Sequence, residues 1–410
     1  VLSVIAIVGA GAAGLATAIF AARRGAARPI VLFEGARRPG AKILVSGGSR
    51  CNVTNARVSE ADFHGSPPYL VRRVLRAFPV PETVAFFGSI GVPLREEDHG
   101  KLFPVANRSA AVLQGLLDEA ARLGVVLRTG VRVLAVEPRE GRFVVGTTEG
   151  AVGAARVVLA TGGLSLPKTG SDGAGLAMAA ALGHAVVPTT PALVPLRLDG
   201  SFHASLSGVS HEVELTVRSG GRVADRRRGA LLWTHFGASG PAVLDVSRAW
   251  ERSRLLGEDP QLEANLLPGR DFAAAERWLL ECAGREPRSL VERALSAELP
   301  AAVAAAVADE AGAGGVPLGR LTRDVRRGLV RGLFARRLPV LGSRGYSFAE
   351  ATAGGVPLAE TDTRTMESRL CPGLHLAGEM LDVDGRLGGF NFQWAWASAW
   401  VAAGGLAHGL

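Results

Sequence analysis

The stretch that most constrains this chain is its beginning. Residues 4–8 (VIAIV) form a short, uninterrupted apolar run that suits a parallel strand buried on both faces. It leads directly into Gly9-Ala10-Gly11-Ala12-Ala13-Gly14 and then an alanine-rich stretch over residues 15–24 with helical character. In a strand–turn–helix of this kind the first glycine permits the tight turn and the second lets a pyrophosphate approach the backbone. The third allows the helix to pack closely on the strand, and the helix N-terminus attracts phosphate. A second apolar run, residues 29–33, ends on Glu34, 20 residues past Gly14, where a carboxylate accepts hydrogen bonds from an adenosine ribose. Strand, glycines, helix, strand and acid in register predict a dinucleotide-binding βαβ unit.

Two later segments bear on which dinucleotide it is. Residues 157–163 (VVLATGG) and 375–379 (HLAGE) each place small residues at the carboxyl end of an apolar run, where an open parallel sheet binds ligand. A cofactor touched near residues 10, 160 and 380 is long, which suits FAD better than NAD. There is no second strand–GxGxxG–helix unit, so a separate NAD(P)H-binding Rossmann domain is not expected; residues 312–315 are glycine-rich but follow no strand.

Composition narrows the alternatives. With 48% hydrophobic residues among 410, and 53 glycines without a three-residue period, the chain is neither disordered nor collagen-like. The uncharged first 22 residues would attract a membrane-span reading, but glycines interrupt them and they lack a basic n-region. No membrane partner is expected. Cys51, Cys282 and Cys371 are odd in number, far apart and without a CxxC pair, which indicates neither a disulfide framework nor a metal site. A reducing cytoplasm is the expected location. Net charge is +8 and the pI about 10.3, a balance compatible with nucleic acid, a membrane surface or an acidic small molecule. The 46 basic residues include only three lysines, Lys42, Lys101 and Lys168, so a site needing a compact ammonium is worth seeking at them.

Several motifs resemble those of a bacterial family of FAD-dependent oxidoreductases that includes aminoacetone-oxidase-like flavoproteins and the flavin reductase of bile-acid dehydroxylation. They are residues 40–55 (GAKILVSGGSRCNVTN), 162–171 (GGLSLPKTGS), 191–196 (PALVPL), 233–241 (WTHFGASGP), 365–368 (TMES), 378–385 (GEMLDVDG) and 388–395 (GGFNFQWA), in family order along nearly the whole chain. The chain departs from the family pattern at Ala41, Ser49 and Phe390, where Arg, Gly and Tyr are usual. A phenol at position 390 therefore cannot be a required proton donor. Since the family contains an oxidase and a reductase, the resemblance leaves the substrate open.

Together these readings place FAD against Gly9, Gly11, Ala12, Ala13, Gly14, Glu34, Gly35, Lys42, Ser46, Gly47, Gly48, Arg50, Cys51, Asn52, Val133, Thr161, Gly162, Gly378, Glu379, Gly388, Gly389, Phe390 and Asn391. In residues 46–52, backbone N–H groups with Arg50 and Asn52 suit the pyrophosphate, the ribityl chain or the flavin edge. Cys51 reads as an unreactive small residue, because no partner cysteine adjoins it. Gly388 and Gly389 open a C-terminal helix whose N-terminus, placed as the resemblance implies, would stabilise negative charge on a reduced flavin. Trp394, Trp396 and Trp400 read as core. Lys168 and His235 are polar candidates near the substrate, without an assigned catalytic role.

The expected fold is α/β: a discontinuous Rossmann-like FAD-binding domain (1–190 and 353–410), a β-rich insert (191–270 and 336–352) and a small helical subdomain (271–335). Arg320, Arg323, Arg327 and Arg331 recur at helical spacing, a stripe read chiefly as a solvated face. No aromatics interleave it, which argues against single-stranded nucleic acid. The expected activity is hydride exchange between flavin N5 and a small organic substrate, with NAD(P)H or oxygen as second redox partner. The alternative is a flavoprotein directed at nucleic acid, of the tRNA-modifying type.

Overall fold

A computed structural model describes residues 4–26 and 29–408 of the chain. It divides into two compact units, residues 1–191 with 349–410, and residues 192–348.

In the first unit the elements that position the site are β1 (Val4–Val8), α1 (Ala12–Arg23), β2 (Ile30–Glu34), α2 (Ala41–Ser49), β3 (Val126–Thr129), β4 (Gly150–Leu159), β5 (Leu374–Leu376) and α3 (Phe390–His408). The central strands run β5-β4-β1-β2-β3 and all pair in parallel. Ile5, Ala6, Ile7, Val157, Val158 and Leu159 are fully buried, as strands covered on both faces require. The chain leaves β1 for β2 on one side, while β4 lies on the other. Strand order thus reverses at β1, and a crevice opens beyond its carboxyl end.

Alanines on α1 let it pack closely against α3. That helix is apolar on all sides and is therefore buried rather than amphipathic. Trp394 and Trp396 are core residues whose indole N–H groups donate to Gly378 O (3.1 Å) and Val53 O (2.9 Å). Trp400 meets Phe20 edge-on at 5.1 Å. Burying a phenyl ring such as that of Phe20 contributes about 2–3 kcal/mol.

The second unit is built on a seven-stranded antiparallel sheet, in the order Arg336–Leu338, Gln261–Asn265, Ser210–Ser219, Arg222–Thr234, Gly237–Ser239, Leu196–Leu198, Val340–Ser343. Val213, Leu215 and Val217 alternate inward along their strand. They share one core with Val243, Leu279, Val303 and Leu329, so the helices of this unit and its sheet are held together by the same apolar cluster. The arginine stripe differs from its sequence reading. Thr322 caps the helix Arg323–Phe334 by accepting from Val325 N at 3.3 Å, and Arg320 ends a separate one-turn helix before it. Only Arg323, Arg327 and Arg331 share the helix face. Among the described residues no helix is long and apolar enough to cross a membrane.

Candidate functional site

The sheet's carboxyl edge gathers the segments expected at the cofactor. Gly9 N donates to Phe33 O (2.8 Å), Ala160 N to Val8 O (2.9 Å) and Ala377 N to Leu159 O (3.0 Å), so the ladder continues up to the turn that leaves each strand. Gly9 has φ +101°, and a Cβ there would lie 2.6 Å from Ala160 O. A Cβ on Gly14 would fall 1.8 Å from Gly9 O, whereas one on Gly11 would meet nothing within 4 Å. The second glycine thus faces open space at the N-terminus of α1, beside Ala12 and Ala13, where a phosphate would approach. Glu34 is held in place: Oε2 accepts from Ala10 N and Oε1 from Ala36 N, both at 2.9 Å. Each oxygen keeps a further lone pair for a ribose hydroxyl. Gly35 packs on Arg132, and the next residue, Val133, has a buried side chain.

The segment after α2 coils tightly. Helical geometry breaks at Ser46, and Gly47 (φ +54°), Gly48 (φ +66°), Ser49 (φ +66°) and Cys51 (φ +60°) are left-handed. For Ser49 and Cys51 this costs about 1 kcal/mol each. The coil brings Asn52 beside Gly389, whose Cβ, if present, would lie 2.9 Å from Asn52 Oδ1 and 2.5 Å from Thr54 O. Asn52 Oδ1 is buried and has no hydrogen-bond partner, and neither has Thr161 Oγ1. Orphaned polar atoms of this kind call for a ligand. Ribityl hydroxyls and the flavin ring N–H are donors that fit Asn52 Oδ1, and the Thr161 hydroxyl can donate or accept, so the residues present suit FAD. Gly162 (φ +73°) lies against Ser171.

Other expected site residues have their side chains engaged by protein. Arg50 donates to Asn107 Oδ1 (2.6 Å), pairs with Glu97 and stacks on Phe103 at 4.1 Å, so its guanidinium is not a free donor. The amide of Asn391 is tied to both backbone groups of Gly385, at 2.8 and 2.9 Å. Phe390 is buried against Phe63. Cys51 is fully buried, and burial pushes its thiol up to about 12. Iodoacetamide at pH 8 should therefore leave Cys51 unmodified in the folded protein while labelling it in urea, as mass spectrometry of its peptide would show; rapid labelling of the native protein would contradict this.

At the centre of the edge lies a cluster that the sequence did not reveal as a unit. Lys42 Nζ pairs with Glu379 and donates to Ser165 Oγ. Ser165 Oγ in turn donates to Glu379 Oε1 at 2.7 Å, and the same oxygen accepts from Thr352 N at 3.0 Å. Thr352 Oγ1 accepts from Leu164 N (2.8 Å) and Ser165 N (3.0 Å). Lys42 and Glu379 were expected here, but Ser165 and Thr352 were not; their only signal was membership of, or adjacency to, matching segments. Gly378 is held on both backbone groups by α3, through Ser398 Oγ (3.0 Å) and Trp394. Lys168 is exposed on the turn Pro167–Thr169, and His235 is exposed in the second unit, 5.1 Å from the ring of Phe236.

Residues 3–405 match the family described as HI0933-like protein Rossmann domain. The chain is 34% identical over 400 residues to the ribosomal RNA dihydrouridine synthase of Escherichia coli, covering 97% of this chain and 96% of that protein. It is 32% identical over 399 residues to the 3-dehydro-bile acid delta(4,6)-reductase of Clostridium scindens, covering 97% of each. Among solved structures, E. coli quinol fumarate reductase FrdA (17% identity, TM-score 0.52, 99% of this chain and 70% of that one) shares the fold. So does 3-ketosteroid delta1-dehydrogenase from Sterolibacterium denitrificans (14% identity, TM-score 0.52, 99% of each chain). With its βαβ nucleotide turn, its glycine-lined carboxyl edge and this full-length likeness, the chain belongs to the HI0933-like family of FAD-dependent Rossmann-domain oxidoreductases.

Proposed function

We propose that the chain reduces a carbon–carbon double bond conjugated to a carbonyl, drawing on a nicotinamide as reductant. The observation that carries this reading is the full-length likeness to a bile-acid delta(4,6)-reductase and to a dihydrouridine synthase, whose names both denote saturation of such a bond. FAD, when bound, would supply a two-electron carrier able to pass hydride to one alkene carbon, with a proton completing the other. The chain's own residues hold and orient. The α1 N-terminus with Gly9 and Gly11 receives the pyrophosphate, and Glu34 receives the ribose. Asn52 and Thr161 take up hydrogen bonds along the ring or ribityl chain, and the N-terminus of α3 offsets negative charge at the ring. A small organic enone is the first acceptor to test.

A second reading, a uracil ring within RNA, is favoured by one feature of the second unit. Arg323, Arg327 and Arg331 are exposed and have no carboxylate partner among the described residues, whereas Arg326 beside them pairs with Glu276 at 3.4 Å. Unneutralised arginines at one-turn steps suit a phosphate backbone.

The test is anaerobic. The FAD-loaded protein is bleached with NADPH or NADH, then given either a dienone or a uridine-containing ribosomal RNA transcript, and the return of flavin absorbance is timed. Rapid reoxidation by either acceptor, with the saturated product recovered, supports the reductase reading; reoxidation by air alone refutes it. Reoxidation by RNA, with salt-sensitive binding weakened by Gln at Arg323, Arg327 and Arg331, selects the second acceptor.

A further inference from the structure

Among the described residues, Arg344 alone has its guanidinium over two aromatic rings. Its guanidinium carbon lies 3.4 Å from the ring centre of Phe348 and 4.4 Å from that of Phe236. Of the seven other arginines stacked on a ring among the described residues, Arg23, Arg50, Arg270, Arg336 and Arg386 also reach a carboxylate, while Arg24 and Arg254 each cover a single ring. Arg344 touches two rings and has no carboxylate partner among the described residues.

The backbone holds this group firmly. Arg344 N donates to Pro195 O at 3.0 Å, and Phe348 N donates to Gly345 O at 3.1 Å, which closes the turn that carries the second ring. The preceding strand, Val340–Ser343, pairs with Leu196–Leu198, and Arg197 lies opposite Gly342. Arg197 is exposed, rests against Gly342 and likewise lacks a carboxylate partner among the described residues. Glu251 lies on the helix Pro241–Leu255. Its carboxyl bonds to Ser343, and burial pushes it toward the protonated form.

A half-buried guanidinium without a counter-ion is costly unless something anionic completes it. Two rings fix the plane of the fork, so little side-chain entropy remains to be lost when a two-oxygen ligand arrives. Phe348 is 46% exposed, so the platform is open to solvent.

We propose that Arg344, gripped by Phe236 and Phe348 and supported by Arg197, binds an oxyanion, either a carboxylate or a phosphate. The site stands independently of the reductase reading, and its binding test does not depend on turnover. The FAD-loaded protein is titrated with inorganic phosphate and, separately, with acetate, following the Arg344 guanidinium 15Nε resonance, which is assigned by its loss in Arg344→Lys. A saturable shift is expected. A stronger response to phosphate marks a phosphate-bearing ligand, and a stronger response to acetate marks a carboxylate-bearing one. Phe348→Leu, which keeps an apolar side chain but removes the ring, should weaken the response about ten-fold. Arg197→Gln should weaken it several-fold, and Arg142→Gln, on a hairpin of the other unit, should leave it unchanged. Absence of a saturable shift with both anions, or an equal shift at Arg142, overturns the assignment. Flavin reoxidation by acceptor is scored separately, so a failed anion site and a failed reductase reading give different results.

Discussion

Gly14→Ala should strongly destabilise the nucleotide-binding fold, while Gly11→Val should leave a folded protein that carries no FAD. The two glycines lie three residues apart in one motif, yet the space around them is opposite. A methyl on Gly14 would sit 1.8 Å from the carbonyl oxygen of Gly9, and that oxygen belongs to a backbone fixed between β1 and α1. Neither side can yield without separating helix from strand, so a loss of about 3 kcal/mol is expected. That is a large part of the margin of an ordinary domain. Gly11 has φ −83° and ψ −165°, a conformation open to any residue, and nothing lies within 4 Å of a Cβ built there. Its replacement should cost about 1 kcal/mol, from the poorer helix N-cap alone, while the isopropyl group fills the space that a phosphate would need. Urea unfolding of both variants, read beside flavin absorbance after dialysis against FAD, separates the two effects. A Gly11→Val protein that retains stoichiometric FAD would refute the placement of the cofactor.

Lys42→Met should lower FAD affinity about ten- to hundred-fold, equivalent to roughly 1.4–2.8 kcal/mol. The ammonium joins Glu379, Ser165 and, through them, Thr352, so its loss leaves a carboxylate at the carboxyl edge of the sheet without its counter-charge. The side chains of Lys42 and Glu379 keep 24% and 17% of their exposure, so solvent screens part of the pair, and its contribution to folding should be only about 1–2 kcal/mol. The larger effect belongs to the cofactor, because Glu379 and Gly378 form the turn that follows β5. Lys42→Arg should also weaken FAD binding, since a planar fork cannot reproduce a compact ammonium set between one carboxylate and one hydroxyl. Lys168→Arg, on an exposed turn, should change stability by less than about 0.5 kcal/mol. Isothermal titration of the apoproteins with FAD, extended to the Lys42→Met/Glu379→Gln double variant, would measure the coupling. Additive losses, or unchanged affinity in Lys42→Met, would show that the cluster only shapes the fold.

The three lysines illustrate how far the composition could be read. Their scarcity among 46 basic residues drew attention to Lys42 and Lys168 alike, because both fall in segments that match the flavoprotein family. The structure separates them: one ammonium is enclosed by an acid and a hydroxyl, and the other points to solvent. Arg50 and Asn391 illustrate the converse. Residue type and motif placed both at the cofactor, but their donors are engaged by Glu97 and Asn107, and by Gly385.

By itself the sequence determined whatever depends on neighbours along the chain. The run at Val4–Val8, the glycines at 9, 11 and 14 and the acid at 34 specify strand, turn, helix and nucleotide contact, because backbone conformation and apolar periodicity act over a few residues. Only the tertiary structure decided where side chains are satisfied. The Lys42–Glu379 pair spans 337 positions, the bonds of Asn52 are left open beside Gly389, and Arg344 is fixed by a ring 108 residues before it. Contacts of that range carry no period or spacing in the sequence. They exist because a parallel sheet brings the ends of distant strands to one edge, and because a buried polar group must find a partner wherever the fold supplies one.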